Sequence, residues 1–171
     1  GFSLIDVHRV DVHGGSYVFV LKEGNHDESR SIAEIEKESK NGVYTESTYE
    51  NYAKACLKVV NDFKDQVKSM RDSGYKIIGY GAAAKGNTFL NFANITLDYI
   101  VDDNPLKQGL LTPGMNIPIH DSSVLLTEDP GSLVIVPLAW NFFDEIRERA
   151  NTVAGRKLKF IKYFPELEVI T

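Results

Sequence analysis

The run YKIIGYGAAAKG, residues 75–86, carries the clearest chemical signal in the chain: an apolar, strand-like stretch breaks into a small glycine-rich turn and continues as helix-compatible sequence. Gly79 and Gly81 accept backbone angles that other residues avoid and let a ligand approach the main chain, while Ala84 fills the third small position of a G-x-G-x-x-A pattern. A helix opening at this point directs unpaired N–H groups at an anion, and Lys85 adds a positive charge to a cradle that runs to Gly86. Asp102 follows the next apolar run, LDYIV, 23 positions past Gly79, where an acid that holds a ribose is expected.

Each of these residues also has a plainer reading. Asp102 equally suits the opening of a turn, Asp102-Asp103-Asn104-Pro105, because Asp and Asn favour turns ahead of proline. Lys85 is either a phosphate partner or a solvated lysine, although a cation at a helix N-terminus is unfavourable without an anion. Trp140 and Asn141 either stack on and hydrogen-bond a base or, for the tryptophan, join the core. If the strands are parallel, ligands bind outside their carboxyl ends, so Gly79 to Gly86, Asp102 to Asn104 and Ala139 to Asn141 converge. His13 and Ser16 frame an HGGS turn like the oxyanion-hole turn of some esterases, but no G-x-S-x-G elbow supplies a nucleophile, and hydrolysis is not expected. His8, His13, His26 and His120 lack metal-ligand spacing, so no metal site is expected, and no catalytic residue is assigned.

These residues need a scaffold of about one domain. With 171 residues, 43% of them hydrophobic, the chain builds one substantial α/β domain plus a small appendage. A net charge of −5 without a basic block argues against nucleic acid and anionic membrane. Cys56 is the single cysteine and cannot form an internal disulfide, and no apolar run reaches the roughly 20 residues of a membrane span, so a reducing cytoplasm is expected. The chain opens on Gly1 and directly on strand-like alternation, which reads as part of a longer polypeptide.

Residues 4–12 and 16–22 alternate as two antiparallel strands around a glycine turn, an orphan β-hairpin that is marginal alone. EGNHDESRS reads as a linker, followed by a short helical piece with Ile32 and Ile35. From about Thr45 to Gly74, Tyr49, Tyr52, Cys56, Leu57, Val60, Phe63, Val67 and Met70 recur at three- and four-residue steps, the stripe of a long amphipathic helix packed against a sheet. Thereafter strands (75–80, LDYIV, SLVIVPLA, KFIKYF) alternate with helices (one through Phe89 and Phe92, one over 140–153), with an irregular stretch from Asn104 to Pro118 and a helical turn near Asp121. The alternation predicts a doubly wound, Rossmann-like parallel sheet.

Together HGGS, GYGAAAKGNTFLNF, DYIVDDNPLKQGLLTPGMNIPI and VPLAWNFFDEI resemble, in order, the C-terminal domain of S-adenosylmethionine-dependent C-methyltransferases that act on nucleotide-linked deoxysugars. The resemblance implies that residues 1–24 complete an upstream methyltransferase domain, that 25–45 form a linker and short helix, and that 46–171 form a Rossmann-like C-terminal domain. It implies further that S-adenosylmethionine binds the upstream domain and no cofactor binds this part, which alone is inactive. What remains here is a wall of the sugar-nucleotide site, made by Gly79, Gly81, Ala84, Lys85, Gly86, Asp102, Asn104, Trp140 and Asn141, with His13 and Ser16 approaching from the hairpin. Relatives continue HGGS with Leu-Arg where this chain has Tyr17-Val18, so the turn lacks an arginine. Two other readings of the same residues stay open: a stand-alone module that binds NAD or another adenine dinucleotide, and a scaffold or dimer contact with a vestigial loop.

Overall fold

A computed structural model describes residues 1–12 and 15–171. The chain forms two compact units, Gly1–Ala55 and Cys56–Thr171.

In the first unit, β1 (Phe2–Val10) and β2 (Ser16–Glu23) pair antiparallel, with a bulge between Leu4 and Asp6. Helix α1 (Ser29–Lys40) is tied to β1 by the buried Ser31, whose hydroxyl donates to the Leu4 carbonyl at 2.8 Å. The buried Ser3 does the same for the connection, donating to the Gly24 carbonyl at 2.9 Å and accepting from the His26 N–H at 3.1 Å. Ile32 and Ile35, the apolar residues that mark this helix in the sequence, are both exposed.

Helix α2 (Glu46–Asp72) leads into the second unit. Six strands follow: β3 (Lys76–Tyr80), β4 (Ile100–Val101), β5 (Ile119–His120), β6 (Leu133–Pro137), β7 (Lys159–Lys162) and β8 (Glu168–Ile170). They lie side by side in the order β5-β4-β3-β6-β7-β8. The first five are parallel and β8 runs antiparallel to β7. Helix α3 (Ala84–Ala93) connects β3 to β4, a 3-10 turn (Ser122–Leu126) precedes β6, and α4 (Phe143–Ala154) connects β6 to β7.

Strands covered on both faces read as continuous apolar runs, since the alternate residues find different partners. Ile77, Val134, Val136 and Ile161 pack under Val60, Phe63 and Val67 of α2 and Leu90 and Ala93 of α3. Ile78, Ile135 and Phe160 pack on the opposite side with Leu125, Phe143, Ala150 and Ala154.

Three expectations change. The α2 stripe is buried only at Val60, Phe63 and Val67, whereas Tyr49, Tyr52 and Leu57 are more than half exposed; periodicity fixes which side of a helix is apolar, not how much of it is covered. The stretch from Asn104 to Pro118 ends in β5, which at two residues is held by pairing to β4 rather than by its own propensity. The parallel sheet acquires an antiparallel edge, β8, because the few residues between β7 and β8 are too short for a crossover helix but sufficient for a reversal.

Candidate functional site

The carboxyl ends of β3, β4 and β6 carry the glycine turn, Asp102 and the Ala139–Asn141 corner. Each glycine has its own physical reason. A Cβ at Gly79 would lie 2.8 Å from both Ile100 Cγ1 and Leu138 Cδ1, so this position is kept small by side-chain packing. Gly81 has a φ of +84° with open space around it, and glycine is there for the turn itself. At Gly86 a Cβ would meet Leu138 Cβ at 2.4 Å and the Leu138 carbonyl oxygen at 3.0 Å, because the first turn of α3 presses on the backbone leaving β6. Ala84 opens α3, which has no side-chain cap.

The turn is closed by Asp102. Its carboxylate accepts from the Ala82 N–H at 2.7 Å and the Asn104 N–H at 2.9 Å. Lys107 Nζ donates to the same carboxylate and to the Ala82 carbonyl, both at 3.0 Å, and Gln108 Nε2 donates to the Asp102 carbonyl at 3.0 Å. Asp102 is only 7% exposed. These bonds show the turn that the sequence offered for Asp102, and the aspartate also fastens the glycine loop. Asn104 continues the turn by accepting from the Leu106 N–H at 3.0 Å.

Lys107 and Gln108 complete this latch on Asp102, and the sequence did not single them out. The only available signal was positional: a turn opened by Asp-Asp-Asn-Pro brings a residue a few positions later back over the first carboxylate. A cavity of about 420 Å³ adjoins the latch, with Ala83, Asn87, Leu110, Leu111 and Pro113 in its wall.

Lys85 extends across the site and places Nζ 5.0 Å from the centre of the Trp140 ring. Trp140 starts a short 3-10 turn and packs on Phe164, ring centres 4.5 Å apart and planes inclined by 55°. Trp140, Asn141 and Phe164 line a second cavity of about 420 Å³ together with Arg147, Lys162 and Glu168. Ser16 belongs to the first unit, where its hydroxyl donates to the Val12 carbonyl at 3.0 Å; His13 lies outside the described residues. Among the described residues no group of three or more His, Cys, Asp or Glu is arranged to hold a metal ion, and no helix is long and apolar enough to cross a membrane.

Behind the site, Asp103 gathers a polar cluster. It accepts from the Ser122 hydroxyl at 2.6 Å, the Tyr80 hydroxyl at 2.9 Å and Arg149 Nε at 3.4 Å. Burial pushes the Asp103 pKa up, but these donors outweigh it and hold the carboxyl below its ordinary range. Tyr80, buried and donating to Asp103, is pushed up to about 12. A carboxyl depressed in the folded state contributes its full stability above the unfolded pKa of about 4, and loses it as pH falls through the folded value. Asp103→Asn is therefore expected to flatten the loss of stability below about pH 4, measured by urea unfolding across pH. Asp121, Glu128 and Asp129 are also depressed, so the loss is reduced rather than abolished. Identical acid limbs in variant and parent would contradict this role.

Residues 11–165 match a family model described as the C-methyltransferase C-terminal domain. The whole chain aligns with the C-methyltransferase NovU of Streptomyces niveus, 30% identical over 177 residues, and spans 42% of the length of that relative.

Proposed function

This chain belongs to the C-methyltransferase C-terminal domain family, and on that premise we propose that the polypeptide containing it transfers a methyl group from S-adenosylmethionine to a carbon of a nucleotide-linked keto-deoxysugar. The domain contributes a wall of the sugar-nucleotide site. The observation that carries this reading is the family match across residues 11–165.

The strand order and the helices on both faces support a doubly wound, Rossmann-like reading, in which β3 and β6 flank the point where the order reverses and ligands are expected. Lys85 and Trp140 stand at that point. The residues after β3 favour a ligand other than an adenosyl group: the carboxylate at the position of a ribose partner already accepts from Ala82, Asn104 and Lys107. The stand-alone NAD module loses its main support for the same reason. S-adenosylmethionine is accordingly assigned to a domain outside this chain, with residues 1–24 completing that domain, 25–45 as connection and 46–171 as the sugar-nucleotide wall. The exposed row Tyr17, Phe19 and Leu21 on β2 gives the hairpin apolar surface for such packing. A cytoplasmic location is part of this reading, and the lone cysteine is compatible with it.

The reading is tested by incubating the longer polypeptide with methyl-labelled S-adenosylmethionine and a thymidine-diphosphate-linked keto-deoxysugar. Label is expected on carbon of the sugar nucleotide, and its transfer is expected to vanish when residues 46–171 are deleted. Failure to label any nucleotide sugar, or undiminished transfer by the deletion, would overturn it.

A further inference from the structure

Lys85 is a cation in an unusual setting. Among the described residues it makes no ion pair, and its partner is the face of Trp140. The 5.0 Å distance puts the ammonium over the indole ring, the kind of surface on which a flat base stacks. Phe164 also packs on the indole, its ring centre 4.5 Å away and its plane inclined by 55°. Beside it, the Asn141 side-chain amide lines the cavity and makes no hydrogen bond among the described residues, so it has both donor and acceptor available for a base edge.

Resting on the reading of this domain as part of a sugar-nucleotide site, we infer that Lys85 is the diphosphate-binding cation and that Trp140 is its resting place: a diphosphate draws the ammonium off the ring, and the base of the same molecule takes the vacated face. An exposed cation–π contact is weak beside a charge-assisted hydrogen bond to phosphate oxygen, so the exchange runs toward the ligand. The arrangement requires both chemical groups in one molecule. A nucleoside alone must displace Lys85 without offering it a new partner. Pyrophosphate alone moves Lys85 but leaves the ring unstacked. A nucleoside diphosphate does both, which gives selectivity for a nucleotide-linked ligand over either of its parts.

Trp140 is the single tryptophan of the 171-residue chain, so its fluorescence reports the exchange directly. Titrations with thymidine diphosphate, thymidine and inorganic pyrophosphate are expected to give a saturable change for thymidine diphosphate at least about tenfold tighter than for either part, as one charge-assisted hydrogen bond supplies. Lys85→Met, a change on an exposed side chain, is expected to retain the parent melting temperature and to bind thymidine and thymidine diphosphate alike. Equal affinity of the unaltered chain for thymidine and thymidine diphosphate, or no response to the diphosphate, would overturn the inference. Methyl transfer by the longer polypeptide, with the same KM for the sugar nucleotide in parent and Lys85→Met forms, would remove this role for Lys85 while leaving the proposed function standing. The fluorescence pattern without methyl transfer would do the reverse.

Discussion

Replacing Phe63 with alanine is expected to lower the unfolding free energy of the Cys56–Thr171 unit by about 3–5 kcal/mol, the usual cost of emptying a buried aromatic site. Phe63 is fully buried and contacts Phe89 edge-on at 5.2 Å and Tyr163 at 5.7 Å, while Phe89 and Tyr163 stack at 4.3 Å. The three rings join α2, α3 and the segment after β7, so the loss removes a contact that three elements share. Tyr163 also donates its hydroxyl to the Leu138 carbonyl at 3.0 Å, where β6 ends beneath the candidate site. Urea unfolding measures the effect; a loss of about 1 kcal/mol or less, typical of an ordinary substitution, would mean that α2 is not part of this core.

Asp102→Ala is expected to cost about 3 kcal/mol, because it deletes charge-assisted bonds to the Ala82 and Asn104 N–H groups and leaves Lys107 without its carboxylate. On the proposed function the cost should be the same with or without NAD, the carboxylate being held by its own loop. The Ala82 N–H, freed in the variant, should exchange with solvent faster than in the parent. Unchanged stability combined with lost affinity for an adenosine ligand would restore the dinucleotide reading.

The fold was legible in the sequence wherever pattern length exceeded a few residues. The hairpin, α2, the β3-turn-α3 unit, β6 and α4 all carry periodicity or turn chemistry strong enough to be read locally. β5 and β8 do not: strands of two and three residues are defined by the neighbour they bond to. For the candidate site, residue types pointed to a glycine turn at the strand ends but not to which groups were already engaged. A G-x-G-x-x-A followed by an aspartate has the same letters whether the carboxylate faces a ribose or its own loop. The deciding atom, Lys107 Nζ, reaches Asp102 through an irregular stretch with no period to read. The Lys85–Trp140 contact is more distant still, joining residues 55 positions apart across the ends of two strands. The depressed Asp103 was invisible for the same reason, since its donors Tyr80, Ser122 and Arg149 come from three separate elements.

On the proposed function, this domain receives a sugar nucleotide and not the methyl donor or a dinucleotide. Equilibrium dialysis of the 171-residue chain against labelled S-adenosylmethionine, NAD and a thymidine-diphosphate sugar tests it most directly. Retention of the thymidine-diphosphate sugar alone is the predicted result; retention of S-adenosylmethionine or NAD, with the sugar nucleotide passing freely, would contradict it.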